Sequence, residues 1–304
     1  MKLKYRHLVI LIFLFSLLFG GIIYWFFLKQ SPRQLTIIDD KNQFLKLNLI
    51  IYTNKNTPQN AILVGNKIYV ATKQGKIQVY DFGGKVIKEI GENILKYPVG
   101  LAWTDEQLIV SDNWLKQVYV FNEEGKLLRS FGKGVLSGPA GIAIKDNKIW
   151  VADAGGHSIL CFDWNGKLLV RYGSGQRTVT INGFAYPNGV LPVEDGFLVA
   201  DTLNNRLSVW KKDKPFLVWD SPAENQPAGP RALVKGTDGN IWILCNLSAN
   251  LLVLNTDNWQ VKITGEFGDG NFQWKFPTGL TADNSGHLVV TDAGNQRVII
   301  YTIK

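Results

Sequence analysis

The side chains able to do chemistry in this 304-residue chain are few and scattered. A zinc centre or a Ser-His-Asp relay needs imidazoles and their partners converging on one point. The only histidines are His7, His157 and His287, and no two share a position in the pattern described below. Cys161 and Cys245 sit in apolar runs, Leu160-Cys161-Phe162 and Leu244-Cys245, and read as buried free thiols; neither a disulfide framework nor a cysteine metal site is expected. Four aspartates, Asp112, Asp153, Asp201 and Asp292, recur in register and could be imagined as a ring of cation ligands. Each closes an apolar run where a tight connection begins, a place where Asp accepts backbone N–H bonds, so turn capping is the expectation. Glu194, Asp195, Glu224 and Asp238 lie in or near loops at spacings that demand no metal. Catalytic residues, metal ligands and cofactors are therefore all expected to be none.

What positions these residues is a repeat. Pro58, Pro98, Pro139, Pro187, Pro230 and Pro277 stand 40, 41, 48, 43 and 47 residues apart, most of them opening a Pro-x-Gly step into an apolar run. Thr72, Asp112, Asp153, Asp201, Asn246 and Asp292 form a second series, 40, 41, 48, 45 and 46 apart. In the second copy, Gly100-Leu101-Ala102-Trp103, Gln107-Leu108-Ile109-Val110, Gln117-Val118-Tyr119-Val120-Phe121 and Lys126-Leu127-Leu128-Arg129-Ser130-Phe131 are four short runs separated by polar turns. Such runs read as strands of a meander. Six copies at this period describe an all-β fold, a six-bladed β-propeller, in which each sheet buries its faces against its neighbours. The last copy stops after its third run at Tyr301-Thr302-Ile303-Lys304, and Asn42-Gln43-Phe44-Leu45-Lys46-Leu47 has the spacing of a missing fourth strand. The N-terminal segment is thus expected to pair into the sixth blade and close the ring.

Two stretches carry a family resemblance: Tyr97-Pro98-Val99-Gly100-Leu101-Ala102 with Val110-Ser111-Asp112, and Phe276-Pro277-Thr278-Gly279-Leu280 with Val290-Thr291-Asp292-Ala293-Gly294-Asn295-Gln296-Arg297-Val298. These resemble NHL repeats, over about residues 54–304. The resemblance implies a six-bladed propeller that binds proteins, glycans or RNA, in some members as the outer sensor of a membrane protein; a minority of related propellers are lyases or hydrolases with a metal in the central channel. Copies one and five depart from the pattern, with Asn60 and Ala232 in place of Gly and Thr72 and Asn246 in place of Asp.

Residues 8–28 are 21 consecutive uncharged, mostly apolar positions, enough for a helix to cross a hydrocarbon core about 30 Å thick. Lys2, Lys4 and Arg6 precede them, which favours a cytoplasmic N-terminus and an extracytoplasmic remainder. The expected organisation is a basic tail (1–7), a transmembrane anchor (8–28), a linker (29–42) and the propeller (43–304), in a single-pass cell-membrane protein. The formal charge is +8; with Lys2, Lys4, Arg6 and Lys29 set aside, residues 30–304 hold +4. That surplus is mild and unclustered, which argues against nucleic acid as the partner.

In a propeller the fourth-to-first and second-to-third connections share one face, and the long irregular connections (132–138, 173–186, 220–229, 268–275) all belong to it. Binding residues collect on such loops. The positions after each repeat proline, including Gln59, Asn188, Arg231 and Thr278, are expected around the channel mouth, with Lys73, Asn113 and Thr202 behind them. Arg231 stands where other copies carry small or neutral residues, and a guanidinium fork suits a carboxylate or phosphate. Trp114, whose counterparts include Gly155, Leu203 and Gly294, offers an indole to a sugar or a partner side chain. Tyr97, Tyr186 and Phe276 are expected as wedges between blades, and Trp103, Trp150 and Trp242 as core. The function read from these features is a membrane-anchored extracytoplasmic binding, scaffold or sensor propeller for a protein or glycan. The competing readings are a metal-dependent lyase or hydrolase and, third, an RNA-binding propeller.

Overall fold

Short strands bounded by Gly, Asn and Asp turns fold here into six four-stranded antiparallel sheets. The computed structural model describes residues 37–39, 44–219, 228–258 and 260–304, all within the unit Thr36–Lys304. The expected anchor at residues 8–28 lies outside them; among the described residues no helix is long and apolar enough to cross a membrane. The second blade shows the plan: Pro98–Thr104 innermost, then Gln107–Asp112, Gln117–Asn122 and Leu127–Phe131 outward, hydrogen-bonded in that order. The inner strands touch in sequence from blade one to blade six and back to blade one, so the ring is closed. All-β six-bladed propeller is the fold.

The sixth blade is assembled from both ends of this unit. Gly279–Ala282, His287–Asp292 and Arg297–Ile303 supply three strands, and Leu45–Tyr52 pairs antiparallel with the third, from Leu45 opposite Ile303 to Tyr52 opposite Arg297. The closing strand buries Leu45 and Ile51, and Lys304 N–H bonds to the Phe44 carbonyl. A fifth strand, Ile37–Asp39, runs parallel to Val261–Thr264 on the outer edge of blade five.

The Pro-x-Gly step has a physical reason in the ladder. Proline has no N–H to donate, and in blades one to five the pairing register slips just after it, as between Pro98, opposite Asp112, and Gly100, opposite Ser111. Each slip is a β-bulge that turns the middle residue out of the ladder. The glycine then sits where the next blade's inner strand comes closest. A Cβ on Gly100 would collide with the Ala140 carbonyl and lie 2.6 Å from Ser111 Oγ; one on Gly189 would lie 2.8 Å from the Arg231 carbonyl.

Between blades the buried side chains are aliphatic and aromatic, with Trp150, Tyr172, Phe197 and Trp210 stacked between blades three and four. Of the three tryptophans expected as core, Trp242 is fully buried, while Trp103 and Trp150 keep part of their surface open. Both cysteines are free and buried, and burial pushes the Cys161 thiol up to about 11.

Two outcomes are expected. Leu45→Ala lowers stability by about 2–5 kcal/mol, the usual range for emptying a buried leucine site, measured by urea unfolding. A chain beginning at Thr53 loses the closing strand and melts well below one beginning at Ser31; equal melting temperatures would contradict the closure.

Candidate functional site

The six inner strands surround a central cavity of about 560 Å³. In blades two to five the bulge re-aims its side chain, so Val99, Ala140, Asn188 and Arg231 line the cavity, joined by Thr278 of blade six. Of the eight residues expected to bind a ligand, Asn188, Arg231 and Thr278 line this cavity. Gln59 is buried instead, its amide donating to the Pro58 carbonyl and its oxygen accepting from the Tyr97 hydroxyl at 3.0 Å. Lys73 and Trp114 project from exposed loops on the same face.

Several of these polar groups are engaged in holding blades together. Asn113 donates to the Pro139 carbonyl of the next blade, Thr202 to that of Pro230, and Thr278 to that of Pro58. Asn246, on which no expectation fell, makes the same bond to the Pro277 carbonyl. Asn188 donates to Thr202 Oγ1 at 2.8 Å. Arg231 differs from all of these. Its Nε donates to the Thr278 carbonyl at 3.1 Å, and among the described residues neither terminal nitrogen meets a protein acceptor and no carboxylate forms an ion pair with it. Burial draws its pKa below the ordinary guanidinium value, an effect the nearby Tyr97 phenol opposes.

The loops above the channel are fixed by the recurrent aspartates. Asp112 accepts from Lys96 N and Tyr97 N, Asp153 from Ser137 N and Gly138 N, Asp201 from Ala185 N and Asp292 from Lys275 N. Each carboxylate thus ties the loop entering its blade to the turn leaving the second strand. Burial raises Asp153 above the usual carboxylate range despite those donors.

Blades four and six add a device that the sequence reading passed over. Arg206 Nε donates to Asp201 at 2.7 Å, and its terminal nitrogens donate to the carbonyls of Val179, Thr180 and Gly183. Arg297 repeats this with Asp292 at 2.8 Å and the carbonyls of Asp269, Gly270 and Gln273. Both pairs are buried. The signal was available: Asp-x-x-Asn-x-Arg occurs at Asp201, Asn204 and Arg206 and at Asp292, Asn295 and Arg297, in the two copies that follow the longest spacings, 48 and 47.

The pinned loops hold apolar side chains in water. Val179 is 78% exposed, Phe267 57% and Phe276 56%; with Trp114 at 75% and Leu247 at 64% they crown the long-loop face. Tyr186 and Phe276 are therefore exposed rim residues, not the inter-blade wedges expected of them. Both take positive φ, which lifts their rings out of the seam between blades. Tyr186 packs edge-on against His157, and Phe276 against Phe267.

Charge divides by face. The described connections of the long-loop face, with Arg231, hold eight Lys and Arg against three Asp and Glu; the short turns of the opposite face hold twelve Asp and Glu against four Lys. Glu194, Asp195 and Asp238 belong to that opposite face, as does His287, whose Nδ1 lies 2.7 Å from Asp283 Oδ2. Glu224 lies outside the described residues. Among those described, no three His, Cys, Asp or Glu side chains converge as a metal site.

Residues 136–162 and 275–301 match the model of the NHL repeat, covering the first three strands of blades three and six. This protein contains NHL repeats. No curated protein sequence matches the chain. Among solved structures it is similar to selenomethionine-substituted virginiamycin B lyase from Staphylococcus aureus, at 14% identity and TM-score 0.60 over 86% of this chain and 100% of that one. A catalytically inactive virginiamycin B lyase from Staphylococcus aureus with quinupristin is 17% identical, TM-score 0.60, over 86% and 89% of the two chains. The WD40 β-propeller domain of Doa1 is 9% identical, TM-score 0.60, over 86% and 98%. At these identities the likeness is one of fold.

Replacing Arg297 by Gln leaves Asp292 buried without its cation and frees three loop carbonyls. A loss of about 3–5 kcal/mol is expected, as for other broken buried pairs, with faster amide exchange confined first to residues 269–273. Wild-type stability and exchange would refute the clamp.

Proposed function

We propose that this NHL-repeat propeller is a binding module whose ligand, a protein or a glycan, lies on the long-loop face over the channel mouth. The observation that carries the reading is the pair of buried arginine clamps. Apolar side chains left in water gain nothing for the fold, and ordering a long loop costs about 1–2 kcal/mol of backbone entropy per residue. Here two long loops are ordered by buried ion pairs while Val179, Phe267 and Phe276 stay exposed. Rigid presentation of aromatic and aliphatic groups reduces the entropy lost on association, which is how preorganised interfaces gain affinity. Propellers with NHL repeats commonly mediate protein interactions, which accords with this use of the face.

The module is tethered, in this reading, by residues 8–28 to a cell membrane, with the propeller on the extracytoplasmic side. The uncharged 21-residue run and the basic residues before it support that arrangement.

Two measurements test these statements. The full chain is expected to stay in the membrane pellet through an alkaline carbonate wash and to be digested by protease added outside intact cells; release by the wash refutes the anchor. On arrays of peptides and glycans, the full chain in phosphatidylcholine nanodiscs is expected to bind a subset of probes. Trp114→Ala combined with Phe276→Ala weakens that binding by about tenfold or more, in line with the loss of interface aromatic anchors. Phe82→Ser, on the opposite face, leaves it unchanged. The reverse pattern would move the site to the short-turn face.

A further inference from the structure

We propose that the long-loop face takes an acidic peptide segment, one carboxylate of which enters the channel mouth and pairs with the Arg231 guanidinium. This rests on the reading of that face as the binding surface and names the chemistry it selects.

Four observations lead there. The bulge after Pro230 aims Arg231 into the cavity, and its Nε bond to the Thr278 carbonyl fixes the plane of the guanidinium while leaving the terminal nitrogens to a ligand. A partly buried cation without a counter-charge among the described residues is an unfavourable arrangement in the free protein. An entering carboxylate relieves it with two parallel N–H···O bonds. Among the described residues the mouth end of the recess offers one cation: Lys235, the other cation lining the cavity, lies at the far end of the same inner strand, and the one lining carboxylate, Asp283, follows the short-turn end of Gly279–Ala282. One fork matches a singly charged carboxylate better than a phosphate dianion.

The surroundings select a peptide. Trp114, Leu203, Leu247 and Phe276 ring the mouth with exposed apolar surface, suited to the side chains on either side of an acidic residue. A bilayer presents its headgroups in a plane, whereas Arg231 is recessed behind that ring. The described connections on the two faces also differ in sign, eight basic groups against three acidic on the long-loop side and four against twelve on the other, the latter partly offset by Lys67, Lys145, Lys148, Lys211, Lys214 and Lys235 at the adjoining strand ends. Such a field draws an acidic chain to the long-loop face and repels it from the opposite one.

The test pans phage-displayed random linear peptides on the full chain in phosphatidylcholine nanodiscs. Expected is enrichment of Asp or Glu flanked by aromatic or aliphatic residues. For the strongest synthetic peptide, changing that acid to its amide weakens binding about tenfold or more. Arg231→Gln gives a similar loss, and the two losses combined are less than their sum, as a direct pair requires. The peptide-side change needs no alteration of the protein, so a misfolded Arg231→Gln cannot imitate the result.

Enriched peptides that depend on Trp114 but lack an acid, or bind Arg231→Gln as well as the wild type, overturn this inference and leave the long-loop face as the binding surface. Peptides indifferent to Trp114, Phe276 and Arg231 alike, or no enrichment, overturn both. Arg231-dependent binding to phosphatidylglycerol vesicles, or Arg231-dependent self-association in sedimentation, without acidic peptide binding, overturns it in favour of a lipid surface or a second copy of this chain.

Discussion

Closure of the ring is the constraint on which everything else here depends. A four-stranded sheet has two apolar faces and cannot cover both, so each blade is stable only between two neighbours. Six blades leave no uncovered face only if the last meets the first, and that junction is made by Leu45–Tyr52 lying along Arg297–Ile303. The inner strands must also approach closely enough to leave a narrow channel. The glycines that follow the repeat prolines allow this, since a side chain at Gly100 or Gly189 would enter the backbone of the next blade. In blades two to five the same bulge that breaks the ladder at proline turns a residue toward the channel, so the device that lets those blades pack also equips the mouth.

A second level of order is built on the buried carboxylates. Asp112, Asp153, Asp201 and Asp292 accept the backbone N–H groups of the loops entering their blades, which makes the connection a fixed part of the blade. Where the loop is longest, one carboxylate is not enough to order it, and Arg206 and Arg297 reach through to its carbonyls. Loop length and clamp therefore arise together. This coupling makes the exposed Val179, Phe267 and Phe276 informative: their loops are held by polar contacts beneath them, while much of their apolar surface stays in water.

The architecture was legible in the sequence because it is written six times, and the period survives drift in any one copy. Blades one and five lack the Gly or Asp of the pattern, yet fold with the same bulge, since proline alone removes the donor that the ladder needs. The channel mouth was legible in part. Asn188, Arg231 and Thr278, singled out by their position in the repeat, line the cavity, while Gln59 at the same position does not. Spacing does not disclose which polar groups are already occupied, and Asn113, Thr202 and Gln59 turn out to bond to neighbouring blades or to neighbouring side chains. The rim aromatics were misjudged for a related reason. Tyr97, Tyr186 and Phe276 share a position in the repeat, but the backbone of the latter two, which follow the longest spacings, adopts positive φ, and a residue's φ is not given by its position in the repeat.

The closing strand also decides where this unit can be attached to anything else. Leu45 pairs with Ile303, so the start of the closing strand and the last residues of the chain lie side by side on the rim of the short turns. A fluorophore, a fusion partner or a solid support joined at Lys304 would sit at the acidic rim, and the basic crown at the other end of the axle would stay open to whatever diffuses past.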